Sequence, residues 1–421
     1  MTSSPKSVRL HIGFFGRMNV GKSSLMNYLA GQEVAITSDV PGTTTDVVEK
    51  PVEWLPLGPV VFLDTAGLDD ASELAAARME KMNAARRRTD VAILVVEAGG
   101  WTAHEERLLA ELRAARTPVL LVFNKSDVRA PDAAEQAAAR ARVDEVAIVS
   151  CRRPDERETA VRAIKEAVGR LAPAEFSRPP PLVSDLLPAG GLLAMVVPID
   201  LQAPKGRLIL PQVQTLREAL DSDAAALVVK EREYAEFLTR LNRPPDLVVC
   251  DSQVVQKMVA DTPRGVKCTT FSILFARAKG DLALATRGAA ALARCRDGDR
   301  VLVAEACSHH ALEDDIGRVK LPRWLRQYSG ARLQVDVCAG RDYPARLADY
   351  RVVIHCGGCM LNRREMLSRQ EQARAAGVAI TNYGVAIAFL QGVLERVLEP
   401  FPAARNAFRA EAVNQHPTTN N

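Results

Sequence analysis

From Leu10 to about Leu171, short apolar runs (LHIGFFG, PVVFLD, VAILVVEA, PVLLVFN, EVAIVS) alternate with amphipathic stretches such as SSLMNYLAG. Continuous apolar runs of this length are buried strands, and helices between them make parallel crossovers, so a doubly wound α/β sheet is predicted. The chain then enters LAPAEFSRPPPLVSDLLPAGG, whose proline cluster favours extended structure and predicts a domain boundary near residue 175. Strand-type LLAMVVPID, AALVVKE and PDLVVCD, separated by QVQTLREAL and REYAEFLTRL, predict a small βαβαβ unit without a phosphate loop. After Pro263, helical FSILFARAKG and DLALATRGAAALARC precede strands in RVLVAEA, LQVDVCA, YRVVIH and GVAIT, then a helix over GVAIAFLQGVLERVL. The expected organisation is three α/β domains, at 1–174, 175–263 and 264–421, with a frayed polar tail from Pro402 onward.

Composition changes this picture little. The chain has 421 residues, 48% hydrophobic and 25% charged, and its 55 basic against 51 acidic side chains leave only +4, too dispersed to argue for nucleic acid or an anionic membrane. The densest basic run, Arg86 to Arg88, is expected to end a helix, where cations suit the dipole and water solvates them. No signal-type segment opens the chain and no stretch reaches the roughly 18 apolar residues of a membrane span, so a cytoplasmic protein is expected. Eight cysteines in such a chain point to buried thiols, metal or redox chemistry rather than disulfides.

The first candidate chemistry is a nucleotide site. GRMNVGKSS fits G-x-x-x-x-G-K-S/T where a strand meets a helix. Gly16 and Gly21 let backbone N–H groups face a phosphate, Lys22 reaches the β/γ oxygens and Ser23 holds Mg²⁺, with Ser24 beside it in the same set. FLDTAG ends a strand in Asp64, suited to holding Mg²⁺ through water, with the Gly67 N–H free for a γ-phosphate. VFNKSD brings Asn124, Lys125 and Asp127. A carboxylate there selects guanine, whose edge offers a pair of donors that adenine lacks. VSC places Ser150 and Cys151 at the last guanine-contacting loop, with Cys151 open between base contact and filler. GTP hydrolysis is the expected reaction, and slow, because no glutamine follows DTAGL to orient water.

DVPGTTTD, between the phosphate loop and Asp64, resembles the switch segment of TrmE-Era-type GTPases. The resemblance implies that Thr44 completes the Mg²⁺ shell and that Asn19 helps hold a potassium ion. A turn residue tolerating unusual backbone angles explains Asn19 equally well.

The second candidate chemistry is a thiol and imidazole cluster. EACSHH and HCGGC both end strand-type runs, and side chains at the carboxyl ends of parallel strands converge on one crevice. Cys307, Cys356 and Cys359 then form a three-thiolate set with His309 and His355 beside it, whereas Cys250, Cys268, Cys295 and Cys338 lack ligand neighbours and read as buried thiols. A 4Fe-4S cluster with one exchangeable iron fits, as does a Cys₃His zinc site, and a Cys-x-x-Cys redox pair is a third reading.

The whole chain resembles the HydF family of FeFe-hydrogenase maturation GTPases, on a guanine-type GTPase domain, a middle α/β domain, and ACSHH with HCGGCMLNRREM. The resemblance implies a homodimeric scaffold that binds a 4Fe-4S cluster through the three cysteines, with the histidines as candidate ligands. It also implies cargo: the diiron precursor of the hydrogenase active site, received with the help of two radical-SAM maturases and delivered to apo-hydrogenase. The rival readings are a GTPase with a structural zinc site in RNA- or translation-linked assembly, disfavoured by the weak net charge, and a GTP-controlled thiol oxidoreductase.

Overall fold

The computed structural model describes residues 8–31, 48–65, 75–199, 208–306, 315–340, 343–344, 346–358 and 360–413. The chain forms two compact units, residues 1–179 and 180–421.

In the first unit the five apolar runs become strands β1 (Leu10–Phe15), β3 (Pro59–Asp64), β4 (Val91–Glu97), β5 (Val119–Asn124) and β6 (Glu145–Ile148), all parallel. A further strand, β2 (Val48–Glu53), lies antiparallel on β3 and gives the sheet order β2-β3-β1-β4-β5-β6. Its sequence, VEKPVE, has too few apolar positions to signal a strand, and Pro51 is tolerated because β2 is an edge. Residues such as Ile12, Phe14, Ile93 and Val122 fill one face of the sheet and Phe15, Leu94 and Leu121 the other. The arginine run does end a helix, Ala75–Arg88. Water does not solvate all of it: the Arg88 side chain is 9% exposed and pairs with Glu49 of β2, and Arg86 pairs with Glu111. These pairs add to the packing of Met82 and Ala85, both buried on the same helix.

The second unit holds two four-stranded parallel sheets. The first, ordered β10-β9-β7-β8, comprises β7 (Leu192–Val196), β8 (Ala225–Val229), β9 (Leu247–Cys250) and β10 (Lys267–Thr270). The second, ordered β12-β11-β13-β14, comprises β11 (Arg300–Ala304), β12 (Gln334–Cys338), β13 (Val352–His355) and β14 (Ala379–Asn382). Strand β10 reads KCTT, with too little apolar pattern to be visible, and it joins the middle sheet from beyond residue 263. One apolar cluster runs through both sheets, including Leu193, Val248, Phe271, Leu274, Val301, Ile354 and Val385. The helix Phe271–Lys279 is buried along most of its length within that shared core.

The single helix expected over GVAIAFLQGVLERVL is two, Tyr383–Leu390 and Leu394–Val397. The frayed tail is also corrected: Pro402–Val413 is a helix, with Ala404 buried and its carbonyl accepting from Thr286 Oγ1 at 3.0 Å. Pro402 is compatible because the first helical turn needs no amide hydrogen, and Phe408 packs on Phe389 with ring centroids 6.0 Å apart. Residues 414–421 lie outside the described ones.

The helix Leu282–Ala290 approaches β14 so closely that a Cβ on Gly288 would sit 2.0 Å from the Ile380 carbonyl oxygen. Gly288→Ala must therefore displace backbone, and is expected to destabilise the second unit by about 1–3 kcal/mol. A thermal melt checks this; a variant melting with the parent would refute the close approach. Among the described residues no helix is long and apolar enough to cross a membrane.

Candidate functional site

The phosphate end of the first unit is built where β1 runs through residues 16–21 into the helix Lys22–Ala30. Gly16 (φ 139°) and Gly21 (φ 88°) are required there: a Cβ would lie 2.3 Å from the Val95 carbonyl oxygen in one case and 2.3 Å from Asn124 Nδ2 in the other. Asn19 also has positive φ, 61°, an angle that asparagine tolerates better than most residues. Lys22 is buried, and its Nζ donates to the loop's own carbonyls, Gly16 O at 3.0 Å and Arg17 O at 2.7 Å. Arg17 anchors the loop in turn, its Nε donating at 2.9 Å to Oε1 of the fully buried Glu105. Glu105 is fixed by a capping box with Thr102 at the start of the helix Ala103–Ala114. Sequence reading did not find this anchor, since the partners are 88 residues apart.

Asp64 ends β3 and is 2% exposed. Ser23 Oγ donates to its Oδ2 at 2.9 Å, while Oδ1 is buried with no hydrogen-bond partner among the described residues. Burial pushes the carboxyl pKa up, opposed by the Ser23 bond and by Lys22. An orphaned buried carboxylate oxygen beside a serine hydroxyl, at the phosphate end, is an oxygen donor set of the kind a hard divalent cation takes, so the residues fit Mg²⁺. Ser24 follows, half-buried, on the same helix. Thr44 and Gly67 lie outside the described residues.

The base end is tied directly to the phosphate end. Asn124 Nδ2 donates to Val20 O at 3.0 Å, and Lys125 Nζ donates to Asn19 O and pairs with Glu97, both at 2.6 Å. Ser150, 1% exposed, donates to Asp127 Oδ1 at 2.6 Å, and that bond leads the causes holding the Asp127 carboxyl below its ordinary range. Cys151 packs against the core beneath the sheet. Burial pushes its thiol up to about 12, so it stays protonated, and it donates to Asn124 Oδ1 at 3.4 Å. The thiol thus orients Asn124.

At the other candidate site the described residues include the two strands that lead into the motifs. Strands β11 and β13 are adjacent and parallel, with Ala304 opposite His355. Cys356 N–H donates to Ala304 O at 2.8 Å, and Ala306 N–H, one residue before Cys307, donates to Cys356 Sγ at 3.0 Å. Cys307, His309 and Cys359 lie outside the described residues. No group of three metal-binding side chains occurs among the described ones. What is described fits a metal-sulfur site: Cys356 sulfur is half-buried, free of any disulfide and already accepts a backbone N–H, the kind of hydrogen bond that tunes sulfur ligands.

His355 is 1% exposed. Arg369, which can only donate, reaches its Nε2 at 3.1 Å, so the ring proton sits on Nδ1 and is donated to Cys356 O at 2.8 Å. Burial, then the Arg369 charge, lowers the imidazole pKa to about 3, leaving it neutral. Both ring nitrogens are engaged, so ligation by His355 would require Arg369 to release Nε2. Arg369 is itself held by Glu365 Oε1 at 3.0 Å and donates to Gly340 O at 2.9 Å. Cys250, Cys268 and Cys295 are buried thiols, as expected. Cys338 is half-buried at the end of β12, opposite Ala304, at the same sheet edge.

Three family models match consecutive segments: 50S ribosome-binding GTPase at residues 11–125, hydrogen maturase F dimerization domain at 182–280, and hydrogen maturase F tetramerization domain at 283–400. The chain is 41% identical over 125 residues to the tRNA modification GTPase MnmE of Prochlorococcus marinus (strain NATL1A), covering 28% of this chain and 26% of that protein. It is 34% identical over 175 residues to MnmE of Picosynechococcus sp., covering 40% and 37%. The chain therefore spans well under half the length of these curated relatives. Aquifex aeolicus Era is similar at 18% identity and a TM-score of 0.34, over 55% of this chain and 98% of that one. With a GTPase domain followed by both maturase domains, the chain belongs to the hydrogen maturase F family.

Proposed function

We propose that the chain is a GTP-hydrolysing scaffold of FeFe-hydrogenase maturation. It binds a 4Fe-4S cluster through Cys307, Cys356 and Cys359, holds the diiron precursor there, and passes it to apo-hydrogenase. The observation that carries this reading is the Ala306 N–H on Cys356 Sγ at 3.0 Å, which brings the segment leading into Cys307 against the HCGGC loop at the ends of neighbouring strands. His309 is the candidate for a non-cysteine ligand, and His355, fixed by Arg369, positions the loop.

In the GTPase unit Lys22 exchanges the Gly16 and Arg17 carbonyls for the β/γ oxygens of GTP. Ser23 and Thr44 would ligate Mg²⁺, Asp64 would hold it through water, and the Gly67 N–H would donate to the γ-phosphate. Bound magnesium supplies charge neutralisation on the phosphate oxygens. Asn124 and Asp127 read guanine, Lys125 and Asn19 brace the two loops, and Asn19 contributes to a potassium site. The body is a homodimer through the middle domain, cytoplasmic and without nucleic acid, and nucleotide state biases docking of two radical-SAM maturases and apo-hydrogenase.

Anaerobic reconstitution with iron and sulfide, followed by visible absorption and EPR after reduction, tests the reading. About four irons per chain and a reducible cubane signal are expected, and protein loaded in the presence of both maturases should then activate apo-hydrogenase. A colourless chain holding one tight zinc would replace this reading with a GTPase carrying a structural metal.

A further inference from the structure

The carboxyl edge of the β11–β14 sheet carries a buried cation that neither motif contains. Lys279 ends the helix Phe271–Lys279 and is 7% exposed. Its Nζ donates to Gly358 O at 3.0 Å and to Leu361 O at 2.9 Å, the carbonyls on either side of Cys359 in the sequence, and lies 5.5 Å from the Phe275 ring centroid. Arg363 NH1 donates back to Ala278 O at 2.7 Å, so helix and loop are stitched from both sides.

We infer that Lys279 is a positioning residue for the HCGGC loop and that its charge sets the reduction potential of the cluster bound there. This rests on the cluster reading above. The three thiolates of such a site outweigh the charge of an oxidised cubane core, and reduction adds a further negative charge. A buried cation bonded to the loop that holds the cluster acts on that charge with little screening, and it favours the more negative, reduced form. Cluster potentials follow net charge, hydrogen bonding and exposure, and Lys279 contributes to the first two. By holding the Gly358 and Leu361 carbonyls, the ammonium also fixes the backbone of the loop before and after Cys359. Lys279 touches no reacting atom, so its role is exerted through the loop and through the field.

The test uses the full chain, reconstituted anaerobically, as parent, Lys279→Met and Lys279→Arg. Readouts are iron and sulfide per chain and an EPR-monitored redox titration, with far-UV circular dichroism on each apo-protein to establish folding. Lys279→Met keeps the stem and removes charge and donors. It is expected to shift the oxidised-to-reduced ratio at a fixed potential at least tenfold toward oxidised, about 59 mV for one electron, while Lys279→Arg stays within threefold of the parent. A Met variant that loads fully with the parent's midpoint overturns the inference, as does an equal shift in both variants. If the Met variant takes up no iron, the Arg variant decides: loading with the parental midpoint supports the role of charge, and a folded Arg variant as empty as Met overturns it. A parent that binds no cluster would instead remove the underlying reading.

Discussion

Asp127→Asn is expected to weaken GTP binding by two to four orders of magnitude and to raise affinity for xanthosine triphosphate above that for GTP. The Asp127 carboxylate is shaped for guanine by its neighbour: Ser150 Oγ occupies Oδ1 at 2.6 Å, which leaves Oδ2 to the base. Asparagine can keep its carbonyl on Ser150, and its amide then presents donors where guanine also presents donors. The charge-assisted bonding that Oδ2 offers the base is lost and donors are left facing donors, which costs more than the loss of a neutral bond. Xanthine carries a carbonyl oxygen in place of the 2-amino group and accepts what the new amide donates. Competition of both nucleotides against a fluorescent GDP analogue measures the change. GTP affinity within threefold of the parent would show that Asp127 does not read the base.

The elements legible in the sequence are those whose signal is continuous along the chain. Five apolar runs announced β1 and β3 to β6, and the phosphate loop announced itself because its glycines, lysine and serine must stand at a fixed short spacing for the backbone to wrap a phosphate. Strands β2 and β10 were hidden because their residues carry little apolar signal: VEKPVE is an edge strand of mostly charge and proline, and KCTT is buried but built of cysteine and threonine. That the strands leading into EACSHH and HCGGC lie side by side followed from parallel-sheet geometry. The supporting cations did not, because Lys279 reaches its carbonyl 79 residues along the chain from the end of a mostly buried helix. Arg369 sits at an ordinary helical position, and only the fold shows that it fixes the His355 tautomer. Cys151 was open between base contact and filler; it packs on the core and donates to Asn124 Oδ1, a bond that no sequence pattern signals.

Replacing Cys307, Cys356 or Cys359 singly with serine is expected to reduce iron from about four per chain to near zero after reconstitution, while GTP hydrolysis stays within about twofold of the parent. The separation follows from the architecture. The nucleotide-binding residues belong to a unit whose strands are filled by their own cores around Phe14, Ile93, Leu94 and Leu121, and the cysteine motifs belong to the other unit. At Cys356 serine preserves the local fold, since its oxygen can accept the Ala306 N–H that the sulfur accepts now. It cannot preserve the site, because an alcohol does not ionise near neutral pH and a hard oxygen does not replace a thiolate on iron. Cys338→Ser is the control at the same sheet edge. Its side chain packs against the cluster formed by Leu302, Ala304 and Leu347, so it should keep its iron. Iron and sulfide analysis beside a phosphate-release assay distinguishes the outcomes: a Cys356→Ser variant that loads fully would remove Cys356 as a ligand. Joint loss of iron and hydrolysis would show instead that the substitution disturbs the fold of the whole chain.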